Sequence, residues 1–379
     1  MEEKVYELDE DTLNQTGQNA AVILRCFLNG SAPDHEYLKT VDFDRLWEFC
    51  RDQQISAFVG QMVRDYDMDH KWSDCVNNAV YRTVYYANER EKIVNHLEQN
   101  GIWYCLLKGC VLERYYPVYG LRQFTDNDIL FDMSYSRQLR DYMVEQGYKV
   151  HSFGKEQCDD YRKEPILHFE MHHVLFETSE WKPLNDYYNG IEEKLLKKEG
   201  SMERYLSPDD QYIYLVAHGF KHYMLAGIGL RFLTDLFVFS SKEDLDWSYI
   251  DREMEKLQIS DFEHKVRKLN ETLFVRAELP EGEEKKMLQY MFVSGCFGNV
   301  KQLNEHKYAG NDSPGQYIRK RLFMTEESLK RAYPVVYRHR ILYVGLLAYR
   351  LAMAATVKRK KVFKEIRELF QRYGNKNEE

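Results

Sequence analysis

A chain of 379 residues, 44% hydrophobic and 30% charged, is too long and too apolar to be a linker or tail, and has room for two or three folding units. Its net charge of -8 argues against long nucleic acid as a partner, since such binding leaves a basic footprint, although a few local cations suffice to hold one nucleotide. The start MEEKVYELDEDTLNQ lacks the basic and apolar regions of a signal peptide, and the 7 cysteines form no CxxC or paired framework, so a cytoplasmic protein with free thiols is expected.

Residues 1–100 read as a helical lead-in. AAVILRCFLNG, FDRLWEFCRDQQISAFVGQMV and VYRTVYYANEREKIVNHLEQNG all space apolar residues by three or four, the last ending at a C-cap, Asn100-Gly101. IWYCLL follows as a short apolar strand, CVLERYYPVYG as a short helix stopped around Pro117 and Gly120, and RQFTDNDILFD as a second strand. SYSRQLRDYMVEQGYKV predicts an amphipathic helix capped by Ser134 or Ser136 and closed at Gly147, with YKVHSF and ILHFEMHHVLFE as further strands. Helix followed by strands in this order predicts an α+β unit from about 101 to 180, within a catalytic segment 101–200.

Residues 201–379 return to the helical period as a C-terminal domain. Ser207 and Pro208 open SPDDQYIYLVAHGFKHYMLA, and LRFLTDLFVFSS, EHKVRKLNETLFVRAEL and EKKMLQYMFVSGCF follow. HKYAGNDSPGQ (306–316) is the clearest connecting loop. ILYVGLLAYRLAMAATV (341–357) contains Arg350 and falls short of the roughly 20 residues a spanning helix needs. Basic clusters flank it, which fits an anionic membrane surface, but a helix packed on the bundle with a solvated KRKK end is the favoured reading.

The chemistry concentrates in LLKGCVLERYYPVYGLRQFTDNDILFD (106–132). On a strand, Asp126 and Asp128 point to one face, and two carboxylates so close call for a cation between them, a hard divalent ion such as Mg²⁺. Glu170 is the candidate third acid: Glu170, His172 and Val174 alternate on one face of their strand, with Phe169, Met171 and His173 on the other. Lys108 and Gly109 lie at a strand-to-helix junction suited to an anion, and Arg122 is suited to a bidentate phosphate contact. Asp132 is read as a solvated strand end.

The order GIWYCLLKG, YYP, LRQFTDNDILFD and FEMHH resembles the uncharacterised nucleotidyltransferase family, a branch of the DNA polymerase β-like nucleotidyltransferase superfamily, over most of the chain. The resemblance implies a mixed sheet that binds two Mg²⁺ ions and an NTP, with Asp126 and Asp128 as the D-x-D, Glu170 as the third acid, His172 as the histidine two positions on, and Lys108-Gly109 as the family's Lys-Gly. It also implies transfer of an NMP group to an acceptor hydroxyl of a small molecule or protein with release of pyrophosphate, Glu170 helping to hold the catalytic metal and taking the acceptor's proton. The chain departs from the pattern in two ways. Lys-Gly stands where the superfamily has Gly-Ser, and Thr125 and Asn127 stand where relatives show Gly and Ile.

AHGFKHYM sets His218 and His222 four residues apart on one helix face, with Lys221 beside them and Asp235 in the next helix. Packed rings between helices are the plain reading. The functional one has His218, Lys221 or Asp235 facing the cleft to touch base, phosphate or acceptor. Two other functions compete: an inactive nucleotide-binding or scaffold protein of the same fold, and a metallohydrolase that uses His218 and His222, although the helper glutamate of HExxH is missing.

Overall fold

The computed structural model describes residues 10–154, 157–176, 181–225, 227–296, 323, 329, 334–339 and 341–355. Residues 1–302 form one compact unit and 303–379 another. In the second, helix Leu342–Ala355 carries most of the apolar stretch and follows the short helix Pro334–Arg338; the 306–316 loop and the KRKK cluster lie outside the described residues. Among the described residues, no helix is long and apolar enough to cross a membrane.

The lead-in folds as α1 (Glu10–Leu28), α2 (His35–Leu38), α3 (Phe43–Asp52), α4 (Ser56–Met62) and the long α5 (Lys71–Gln99). One continuous run was expected over α3 and α4. It breaks after Asp52, and Gln54 turns the chain with φ 56°. α5 closes at Asn100, with Gly101 at φ 68°, the left-handed conformation a C-cap glycine supplies.

Seven strands then build one mixed sheet: β1 (Tyr104–Leu106), β2 (Asn127–Phe131), β3 (Lys149–Ser152), β4 (Cys158–Lys163), β5 (Leu167–His172), β6 (Leu196–Lys197) and β7 (Glu203–Tyr205), in the order β3-β4-β5-β2-β1-β7-β6. β2 lies at the centre, antiparallel to β1 and parallel to β5. The sheet differs from expectation at three points. β6 and β7 were not foreseen and carry the sheet past the expected end near residue 180. β4 was not foreseen, because CDDYRK is polar, yet it pairs antiparallel with both β3 and β5. β2 starts at Asn127, so Asp126 immediately precedes the strand instead of lying on it.

Between β1 and β2 run α6 (Gly109–Leu112) and a 3-10 turn, Glu113–Tyr115. After β2, the Asp132 carboxylate accepts from the Ser134 N–H and caps the turn leading into α7 (Ser136–Glu145), so Asp132 is a cap where a solvated strand end was expected. Ser136 donates its hydroxyl to Asp159. Helices α8 (Lys182–Tyr188), α9 (Pro208–Leu225), α10 (Leu230–Ser240), α11 (Trp247–Leu257), α12 (Ser260–Asn270) and α13 (Gly282–Ser294) follow. α9 opens as expected, the Ser207 hydroxyl accepting from the Asp210 N–H.

Strand alternation divides the sheet into two faces. Ile129, Phe131, Phe169, Met171 and Tyr161 are buried with Ile93 and Leu97 of α5 and Leu139 and Met143 of α7. Cys105, Leu107 and Leu130 join a second core with Leu112, Tyr214 and Leu215, which extends through α10–α13 back to α1 and α4. Asp128, Glu170 and His172 occupy alternate positions to the first set, so they belong to the face that meets α9.

Candidate active site

The parallel register of β2 and β5 pairs Asp128 with Glu170 directly, and alternation puts both on one face. Asp126, Asp128 and Glu170 line one cavity of about 300 Å³ together with Lys108, Gly109 and Arg122. From α9 and α10 the same cavity receives His218, Lys221 and Asp235, residues distant in sequence from the acids. His172 stands differently: it is buried, and its Nε2 lies 2.9 Å from Asp128 Oδ1 and 3.5 Å from Glu170 Oε2.

Lys108 meets Asp128 rather than open space. Its Nζ lies 2.6 Å from Asp128 Oδ1, and its backbone adopts φ 45°, a left-handed conformation that strains a residue with a Cβ by about 1–3 kcal/mol. Burial lowers the pKa of the ammonium, but Asp128, aided by Tyr214, Asp126 and Glu170, outweighs it and holds the value above that of an ordinary lysine. Burial would likewise raise Asp128. The Lys108 charge and the His172 hydrogen bond outweigh it and keep this carboxyl well below the usual range. Asp126 moves the other way, raised first by burial and then by the Asp128 charge.

Arg122 and Asp235 are paired with each other. Arg122 donates from Nε and Nη2 to the two Asp235 oxygens, each at 2.7 Å, and Tyr116 donates its hydroxyl to Asp235 Oδ1 at 2.6 Å. The Nε–Nη2 edge of the guanidinium is therefore engaged within the protein. A Cβ on Gly109 would lie 2.7 Å from Arg122 Nη1, and Asp235 holds that guanidinium in place, so glycine is what admits it against α6.

His218 and His222 touch through Nε2 at 3.2 Å, which requires one ring to donate and the other to accept. Burial, with Lys108 next, keeps both neutral: His218 is well below the ordinary value, and His222 is lowered to about 4. Among the described residues, the three-donor groups suited to a metal ion do not include this pair.

Among the charged residues of the cavity, Arg231 escaped the sequence reading. Arg231 lines the wall beside Asp235 and donates from Nη1 to the Gln123 carbonyl at 2.8 Å; its spacing of i, i+4 from Asp235 on α10 was the available signal. Asn127, between the two acids, is buried on the opposite side, where it accepts from Arg90 Nη1 at 2.8 Å and Cys110 Sγ at 3.1 Å. Asn127 is thus an anchor to α5. His168 shares the alternation of Glu170 and His172, and Asp160 lies across from Glu170 on β4.

The donor set suits divalent cations. Asp126 makes no hydrogen bond or ion pair through its carboxylate among the described residues, and Asp126, His168 and Glu170 offer ligand atoms that all lie within 4.8 Å of one another. A carboxylate such as Asp126, whose charged form is disfavoured by burial and by the Asp128 charge, is what such an ion relieves. The cavity combines this acidic side with the cations Lys221 and Arg231.

No curated protein and no solved structure matches the chain significantly. One family does: that of the uncharacterised nucleotidyltransferases, over residues 39–275, a span well over half of the chain that holds every cavity residue from Lys108 to Asp235. The chain therefore belongs to the uncharacterised nucleotidyltransferase family.

Proposed function

We propose that this cavity binds a nucleoside triphosphate and transfers its NMP group to a hydroxyl of a small molecule or protein, releasing pyrophosphate. The observation that carries the reading is the register of Asp128 against Glu170 on one sheet face, with Asp126 on the same cavity and Lys221 and Arg231 on its wall. Asp126, Asp128 and Glu170 would hold Mg²⁺, two ions by the family resemblance. When bound, such ions neutralise the triphosphate and polarise the phosphorus under attack.

The protein's own groups supply the rest. Lys221 and Arg231 offset phosphate charge, and Lys108 and His172 keep Asp128 ionised and oriented. Glu170 is our candidate for taking the acceptor's proton, because its side chain is 24% exposed where that of Asp128 is 3% exposed. The neutral His218–His222 pair adds a hydrogen-bonding wall without adding charge.

A second reading has one observation in its favour. The Lys108 ammonium occupies an oxygen of Asp128 that a cation would use, as in a nucleotide-binding protein that has lost turnover. Thermal unfolding of the wild type and Asp126→Ala/Asp128→Ala, with Mg²⁺ and each of the four NTPs, followed by pyrophosphate detection, separates the two. At 100 times Kd, an NTP should stabilise the wild type by about 2.7 kcal/mol and leave the double variant unmoved. Pyrophosphate release supports transfer. Stabilisation without release supports the binding protein, and equal responses from both chains would sink the carboxylate site.

A further inference from the structure

We propose that His168 is a metal ligand beside Asp126 and Glu170, and that its imidazole biases the site toward a first-row transition ion, Mn²⁺ in particular, over Mg²⁺. This rests on the metal-dependent reading above and specifies which cation that site selects. β2 pairs Asn127 with Phe169 and Asp128 with Glu170, so the register carried one residue back sets Asp126 opposite His168. On β5, His168 and Glu170 share a face by alternation. The outcome is that one donor atom from each of Asp126, His168 and Glu170 falls within 4.8 Å of the others. An ion with bonds of roughly 2.1 Å separates adjacent donors by roughly 3 Å and opposite donors by roughly 4.2 Å, so small side-chain shifts close this group on a cation.

The state of the ring points the same way. His168 Nε2 is buried and makes no hydrogen bond among the described residues, although it lies 3.1 Å from Asp160 Oδ1 and 3.9 Å from Glu170 Oε1. Asp160 is already satisfied by Arg162, whose Nε and Nη2 donate to its two oxygens at 3.1 and 3.0 Å. A buried nitrogen among carboxylates, without a hydrogen bond, is an orphan that a cation would satisfy. Mg²⁺ takes oxygen donors and sheds water reluctantly, whereas imidazole nitrogen strengthens binding of first-row transition ions. Of these, Mn²⁺ is the one that also suits an oxygen-rich set.

The test uses the full chain, stripped with chelator and titrated with Mn²⁺ alone. Electron paramagnetic resonance reads free and bound ion, competition with Mg²⁺ gives the preference, and pulsed measurement reads coupling of bound Mn²⁺ to ligand nitrogen. The wild type should prefer Mn²⁺ by about tenfold or more and show nitrogen coupling. His168→Gln should lose the coupling and most of the preference, while His172→Gln keeps the coupling. Bound Mn²⁺ without nitrogen coupling in the wild type overturns the proposal even if His168→Gln fails to fold. So does coupling that survives His168→Gln. In either case the carboxylate site stands if Asp126→Asn abolishes binding, whereas no Mn²⁺ binding to the wild type removes both this inference and the metal-dependent reading.

Discussion

Arg122 and Asp235 illustrate what a single residue can and cannot announce. Each reads in sequence as a free polar group near a cleft; in the fold they form a buried, bidentate ion pair across 113 residues, joined by the Tyr116 hydroxyl. Removing one member of such a pair leaves an uncompensated charge, so Arg122→Met or Asp235→Leu should each cost about 3–5 kcal/mol by urea denaturation. The double variant should lose less than the sum, because neither charge is then stranded. Single losses under about 1 kcal/mol would show that the pair is not the brace its geometry describes. His168 teaches the opposite lesson. It shares the two-residue alternation that singled out Glu170 and His172, and the pattern was legible had it been followed one step upstream.

At the scale of elements, the close crossing of α9 and α10 determines where His218, Lys221 and His222 stand. Gly219 permits that crossing: a Cβ there would lie 2.0 Å from Phe232 Cε2. Alanine improves helix propensity by about 1 kcal/mol over glycine, but overpacking costs about 1–3 kcal/mol. Gly219→Ala should therefore destabilise the protein modestly and weaken NTP stabilisation in the same thermal assay, as α9 moves off the cavity. Phe232→Ala should relieve the clash, so that Gly219→Ala is neutral or stabilising in that background; an unchanged penalty there would sink this account of the crossing. The strands show why some elements were legible and others were not. β2 carries an apolar run, Ile129-Leu130-Phe131, and β5 an apolar alternation, whereas β4 is a strand because β3 and β5 offer backbone partners on both sides.

For the molecule as a whole, the part-buried neutral histidines His218 and His222 tie stability to pH. A histidine whose folded pKa is depressed stabilises the fold fully above its unfolded value near 6.5, and the contribution is lost as pH falls toward the folded value. For His222, lowered to about 4 by burial, Lys108 and Lys221, the window runs from 6.5 down to about 4, and the loss is on the order of 3 kcal/mol. The midpoint of urea unfolding should fall across that window, and His222→Gln should flatten the fall; an identical slope in the variant would remove His222 as its cause. By itself, the sequence determined the α+β class, the faces of β2 and β5, the acids Asp126, Asp128 and Glu170 as a set, and the helical character on either side, because periodicity and short motifs are properties of neighbouring residues. Only the tertiary structure decided that Lys108 meets Asp128, that Arg122 is engaged by Asp235, that β4 exists, and that α9 and α10 bring His218, Lys221 and Arg231 to the acids. Those pairings join residues far apart in the chain, and it is burial and closure of the whole core that select them.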